Sequence, residues 1–291
     1  MGKKLTIEEL VSAYLRHADT YYRTGGGRHT SRIGVLRSAL TAISVRHKGK
    51  ADSFRANALR ATQSAWAEQG LSRTTVNNYT ACVKAMFRWA AAREMISTET
   101  YTSLSLVEQI PCGRGLARET EPVKPVPDEH IEKVLPLLSG EAADLVRLQL
   151  ITGARPGELL ALQVQDIDRT GVVWTAALSM HKTAWKGRER TLYFGPRAQT
   201  ILKPYLLGQD RLFKRYADVA AYRRAIARAC KRCGLPAWSP NQLRHNAATR
   251  IRKEHGLEAA QVLLGHSKAD VTQVYAEKNE QQAIQIMVET G

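Results

Sequence analysis

The sequence predicts a mainly α-helical protein of two domains, the second of which carries one small antiparallel β-sheet. Three observations support this. Apolar residues recur at helical spacing behind recognisable caps over most of the 291 residues. A stretch rich in proline and glycine, without apolar periodicity, interrupts them at 111–126 and separates a domain at 1–110 from another at 127–291. Only between Ile167 and Phe194 does the period change to that of strands.

The first helix begins at Thr6-Ile7-Glu8-Glu9, a capping-box pattern, and continues through Leu10, Val11, Tyr14 and Leu15 for about four turns. Gly25-Gly26-Gly27 stops it. Ile33, Leu36, Leu40 and Ile43 mark a second helix that ends near the basic segment from His47 to Lys50. Phe54, Leu59 and Trp66 outline a third, closed by Gly70. Ser72 caps a longer fourth carrying Val76, Tyr79, Val83, Met86, Phe87 and Ala90. The first domain is therefore expected to be a four-helix unit. Arg28, Arg32, Arg37, Arg73, Asn77, Asn78, Lys84 and Arg88 lie on its polar faces, where they suit phosphates or base edges in a groove.

In the second domain, helices are expected at Asp128–Leu138 and Gly140–Ile151. A short third follows from Pro156 to Leu162, with proline at its first turn. Gly171–Ala176 and Arg190–Phe194 read as strands around the polar turn His181–Gly187. From Pro196 onward the pattern is helical, with breaks at Gly208, Gly234–Pro240 and Gly256.

Composition is that of a folded globular chain: 44% hydrophobic and 24% charged residues leave disorder no part in explaining the charge balance. The formal net charge of +16 is the footprint of a protein that neutralises phosphates and releases their counterions. Both halves share it, with 16 basic against 8 acidic residues in 1–110 and 27 against 19 in 111–291. A single basic tail is thereby excluded, and either domain can meet a polyanion. The chain has no apolar run suited to a bilayer or a signal sequence, so a cytoplasmic protein without a membrane partner is expected. Cys230 and Cys233 have CxxC spacing but no companion pair of cysteines or histidines. No metal and no cofactor are therefore expected. The absence of a glycine-rich nucleotide loop argues against coupling to ATP.

Chemistry concentrates in five segments. In order they are Thr152-Gly153-Ala154-Arg155-Pro156-Gly157-Glu158, His181-Lys182-Thr183, Leu243-Arg244-His245, Leu264-Gly265-His266-Ser267 and Thr272-Gln273-Val274-Tyr275. Together they resemble the ordered motifs of the tyrosine recombinase, or phage integrase, family, and the likeness extends over nearly the whole chain. The resemblance implies an N-terminal helical core DNA-binding domain and a catalytic domain with the DNA breaking-rejoining fold. It also implies a site-specific recombinase that cleaves and rejoins duplex DNA through a covalent 3′-phosphotyrosyl intermediate.

The implied roles agree with phosphodiester chemistry, in which an anionic centre needs charge neutralisation and a placed nucleophile. Arg155 and Arg244 would clamp nonbridging oxygens, since each guanidinium offers paired donors and keeps its charge. Tyr275 would attack phosphorus, His266 would donate to a nonbridging oxygen, and Lys182 would protonate the departing 5′-oxygen. Lys186 and Arg188 share the hairpin turn with Lys182, which is favoured because Lys-Thr directly follows the strand. Glu158, one helical turn beyond Arg155, is expected to support that arginine rather than react.

One position departs from the family. His-x-x-Arg is usual where this chain has Asn241-Gln242-Leu243-Arg244, so Asn241 occupies the place of an acid/base histidine. An amide can donate to phosphate but cannot take the tyrosine proton. His245 is not a substitute, because it matches a different histidine of the motif. A final stripe of Ala283, Ile284, Met287 and Val288 is expected to pack within its own domain or on a neighbouring protomer. Joining two duplexes implies a homotetramer on DNA. Two rival readings stay open at this point: a type IB topoisomerase-like enzyme acting as a monomer, and a catalytically silent sequence-specific DNA-binding protein.

Overall fold

The computed structural model describes residues 5–23, 27, 29–115, 117–178, 190–207 and 210–265. The chain divides into two compact units, Met1–Pro122 and Val123–Gly291.

Unit 1 is helical: α1 (Ile7–Tyr21), α2 (Arg32–Arg46), α3 (Ala56–Glu68), α4 (Arg73–Ala91) and α5 (Thr98–Ser105). The capping box at α1 forms as the sequence predicts. Thr6 Oγ1 accepts the Glu9 amide at 3.2 Å, and the Glu9 carboxylate accepts the Thr6 amide at 2.9 Å. Ser72 likewise caps α4 through the Thr75 amide. The apolar faces of α1, α2 and α4 close a core in which Leu10, Leu36, Leu40, Ile43, Val83, Met86 and Phe87 are buried. Phe54 belongs to this core but precedes α3, which starts at Ala56.

The expectation of four helices misses α5. This helix buries only Thr100 and Leu104, too few apolar positions to show a period. It is held by polar contacts instead, with Ser97 capping Thr100 and Asp52 accepting from the Ser97 amide at 2.8 Å. Parts of the expected polar face are also committed inside the unit. Asn77 exchanges two hydrogen bonds with the main chain of Ile110, and the Lys84 ammonium donates to the carbonyls of Ser105 and Val107. These two residues secure the chain leaving α5. Arg73 pairs with Glu119 at 2.6 Å, and Arg37 with Asp19 at 3.2 Å, whereas Asn78 and Arg88 stay exposed.

Unit 2 begins with α6 (Asp128–Val134), extended by a 3-10 turn at Leu135–Leu137. Next come α7 (Gly140–Thr152), α8 (Pro156–Ala161), β1 (Ile167–Asp168), β2 (Trp174–Ala177), β3 (Thr191–Phe194), α9 (Pro196–Leu202), α10 (Val219–Arg232) and α11 (Pro240–Leu264). The sheet is antiparallel in the order β1-β2-β3, with Ala176 opposite both Ile167 and Leu192. At two residues, β1 is too short to show alternation. The segment after α9 is less helical than its sequence suggests. Leu212 and Phe213 enter the core from an irregular stretch fixed by Arg211, whose Nε donates to the Leu160 carbonyl at 2.8 Å. Helix α7 packs along α11 over a core that includes Leu145, Leu148, Leu159, Phe194, Tyr222, Ile226 and Leu243. Gly256, with φ 86° and ψ 176°, interrupts α11 where the sequence expects a break. Among the described residues, no helix is long and apolar enough to cross a membrane, and no cluster of three or more His, Cys, Asp or Glu side chains is placed to hold a metal.

Candidate active site

The turn between α7 and α8 is built by its own sequence. Gly153 ends α7 in the left-handed conformation (φ 64°), and its amide returns to the Gln149 carbonyl at 2.9 Å. A Cβ at this position would lie 2.5 Å from Leu264 Cδ2, so both the backbone angle and the neighbour require glycine. Ala154 then leads to Arg155 at the N-cap of α8, and Pro156 supplies the first helical position. Glu158 folds back on the turn: Oε2 accepts the Arg155 amide at 2.8 Å and Oε1 accepts Arg155 Nη1 at 2.6 Å. The Glu158 side chain is 5% exposed and that of Arg155 36%, so the carboxylate holds the guanidinium from beneath while leaving it partly open to solvent.

Arg244 docks on the same turn from α11. Its Nη1 donates to the Gly153 carbonyl and its Nη2 to the Leu264 carbonyl, each at 2.7 Å, and the residue is buried. The two arginines, 89 positions apart in sequence, therefore share one turn of backbone. Gln149 reinforces the junction. Its Nε2 donates to the carbonyls of Ala154 and Pro240, both at 3.2 Å, and its Oε1 accepts the Tyr222 hydroxyl. Burial drives the Tyr222 phenol well above its ordinary range, which keeps it a donor.

Asn241 is exposed on the first turn of α11, three residues before Arg244, where helix amides and the dipole favour an anion. Ser239 caps this turn, and Gln242 completes the capping box by accepting the Ser239 amide at 2.8 Å. Gln242 Nε2 also donates to Lys124. Asn246 exchanges two hydrogen bonds with the main chain of Val126, so the strand entering unit 2 is fastened to α11. His245 is half-buried, and burial first, then the Arg244 charge, lowers its pKa.

Arg190 is the site residue that the sequence reading passed over. It is 4% exposed, stands just before β3, and donates from Nη1 to the Leu263 carbonyl at 2.8 Å, while its Nε lies 3.7 Å from Glu158 Oε2. Burial raises the Glu158 carboxyl, but the Arg190 charge and the bonds from Arg155 outweigh it and hold Glu158 below the usual carboxylate range. A signal was present. Strand alternation puts Arg190 on the same face as Leu192 and Phe194, both buried, which marks it as an inward arginine.

Residues 132–282 match the Phage integrase family. The chain is 31% identical over 295 residues to "Tyrosine recombinase XerC" of Mycobacterium bovis (strain BCG / Pasteur 1173P2), covering 91% of this chain and 94% of that protein. The chain belongs to the phage integrase family, the tyrosine recombinases. Solved structures share the fold of this recombinase. The lambda integrase(75-356) dimer bound to a COC′ core site superposes with a TM-score of 0.73 at 16% identity, covering 94% of this chain and 96% of that one. The Tn1549 transposon integrase in complex with a circular intermediate DNA gives 0.71 at 20% identity, covering 98% and 99%. Of the six predicted site residues of the recombinase, the structure brings Arg155 and Arg244 to one turn and puts Asn241 on the adjoining helix start. Lys182, His266 and Tyr275 lie outside the described residues, as do Lys186, Arg188 and the C-terminal stripe from Ala283 to Val288.

Proposed function

We propose that this recombinase cleaves and rejoins double-stranded DNA at specific sites in the prokaryotic cytoplasm, acting as a homotetramer on DNA with no metal or cofactor. Tyr275 attacks the scissile phosphorus. Its phenolic oxygen, giving up its proton to solvent, forms the new P–O bond as the bond to the 5′-oxygen breaks, leaving a 3′-phosphotyrosyl link and a 5′-hydroxyl. Lys182 supplies the proton that the 5′-oxygen takes up. The phosphotyrosyl ester conserves the bond energy, so attack by a 5′-hydroxyl reverses the step without an external energy source. Arg155 and Arg244 bind the nonbridging oxygens, where negative charge grows in the transition state, and His266 adds a third donor. Asn241 contributes an amide donor in place of an imidazole.

The observation that carries this reading is the hydrogen bond from Arg244 to the Gly153 carbonyl, which brings the second arginine motif onto the turn presenting the first. A clamp of two guanidinium groups held by carbonyls and a carboxylate is preorganised, so little reorientation is needed when charge develops. The test is a suicide DNA substrate whose cleaved end diffuses away and traps the intermediate. Wild type is expected to yield a denaturation-resistant protein–DNA adduct, and Tyr275→Phe none. An adduct that survives in Tyr275→Phe would remove Tyr275 from its role. No adduct from wild type under any condition would defeat the enzyme reading. Supercoil relaxation by a monomer without site preference would point instead to a topoisomerase.

A further inference from the structure

We propose that Arg190 is a positioning residue that clamps the Arg155 turn to the end of α11, and thereby fixes Leu263, Leu264 and Gly265 against that turn. This rests on the reading given above for the site. The geometry is that of a bridge. On one side the Arg190 guanidinium faces Glu158, the carboxylate that holds both the amide and Nη1 of Arg155. On the other it donates to the carbonyl of Leu263, three residues before His266 in sequence. Leu264, the next residue, gives its carbonyl to Arg244. Arg190 and Arg244 therefore take consecutive carbonyls at the end of α11, and each also reaches the Thr152–Glu158 turn, through Glu158 and Gly153 respectively.

Two further observations fit a bridge better than a simple core filler. Gly265 ends α11 with φ 62°, and a Cβ there would stand 2.8 Å from Arg190 Nη1 and 2.9 Å from its Cδ. The arginine is packed directly beneath the residue that precedes His266. Burial of a guanidinium is also costly, and Arg190 Nε and Nη2 have no hydrogen-bond partner among the described residues. A hydrophobic side chain of equal volume would avoid that cost. Retaining arginine makes physical sense where its charge holds Glu158 and its fork spans two elements, something neither methionine nor lysine can do at once.

The test compares wild type with Arg190→Met, which keeps volume without charge, and Arg190→Lys, which keeps charge without the fork. Single-turnover cleavage, DNA affinity and amide hydrogen exchange of the free proteins are measured. For Arg190→Met the expected results are cleavage about 100-fold slower, the scale of a misplaced reacting group, with DNA affinity changed less than about threefold. Exchange should rise in peptides covering 155–161 and 258–264 and stay unchanged in the first turns of α7. Arg190→Lys should recover part of the rate. Three results would overturn the inference: wild-type cleavage by Arg190→Met, equal losses of rate and affinity with exchange raised throughout unit 2, or a lysine variant no better than methionine. If wild type itself forms no adduct, the reading of the site fails, while the exchange measurement, which needs neither DNA nor activity, still decides the clamp.

Discussion

Replacing Glu158 with glutamine should destabilise unit 2 more than its small volume change suggests. The carboxylate accepts two hydrogen bonds from Arg155, at 2.8 and 2.6 Å, and faces the buried Arg190 guanidinium at 3.7 Å. Glutamine keeps the shape but presents an amide NH₂ where a second acceptor is needed, and it removes the negative charge. A charge-assisted hydrogen bond contributes about 1.5–3 kcal/mol, and removing one partner of a buried ion pair costs about 3–5 kcal/mol. Because the terms share one site they do not add, so a loss of about 3–5 kcal/mol is expected. For a unit of this size that corresponds to a fall in Tm of roughly 6–20 °C, read by calorimetry as movement of one transition. The pH dependence gives an independent check. The folded-state pKa of Glu158 is lowered, so its contribution is fully present above the unfolded value of about 4.3 and is lost as pH falls through the folded value. The stability difference between wild type and Glu158→Gln should therefore be flat at neutral pH and shrink on acidification below about pH 4. A Tm change under about 2 °C at pH 7, or a difference that grows in acid, would refute this account of how the Arg155 turn is held.

Other outcomes follow from single contacts. Gly153→Ala should cost about 2–4 kcal/mol in chemical denaturation, combining a left-handed residue with displacement of Leu264; an effect below about 0.5 kcal/mol would mean that the turn relaxes freely. Asn241→His should add an acid limb to the pH–rate profile of cleavage near an imidazole pKa of about 6.5, because only the neutral ring can take a proton, and an unchanged profile would remove this position from proton handling. In unit 1, Arg88→Ala should weaken binding to all DNA sequences alike and lower the salt slope by about one, whereas Lys84→Ala should lower the unfolding temperature of the unit, since its ammonium holds the chain leaving α5. Equal salt slopes for wild type and Arg88→Ala would take Arg88 off the DNA.

The elements with strong periods were legible in the sequence. Helices α1, α2 and α4 announce themselves through spaced apolar residues, with caps at α1 and α4, and their buried faces are the ones that spacing selects. Elements held by polar contacts were not. Helix α5 depends on the bond from Ser97 to Asp52, and the stretch with Leu212 and Phe213 depends on the bond from Arg211 to Leu160, each between partners distant in sequence. The same division runs through the candidate site. Arg155, Asn241 and Arg244 were singled out from local motifs, but that Asn77 and Lys84 serve their own unit follows only from main-chain partners that local pattern cannot reveal. Arg190 lay between these cases, since its inward face was readable from strand alternation but its partners were not.

The contacts around Asn241 explain why a chain lacking the usual histidine can keep the rest of the site intact. The Asn241 side chain is exposed on the first turn of α11, whereas Arg244 is held by the carbonyls of Gly153 and Leu264, with Gln149 joining the turn to Pro240. On the proposed mechanism, histidine in place of asparagine at 241 is expected to leave these contacts of Arg244 alone and to alter proton handling. His245 does not take over by default, because its ring is half-buried and lies beside Arg244, which disfavours the protonated form that a base must reach. On the proposed mechanism the phenol proton leaves to solvent, and the positive charges of Arg155 and Arg244 ease its departure by favouring the phenolate. That proposed route would place more of the catalytic burden on the two arginines than a histidine-bearing site would, and it predicts cleavage that speeds up as pH rises. The tightness with which Glu158, Gly153 and Leu264 hold these two side chains is the structural counterpart of that burden.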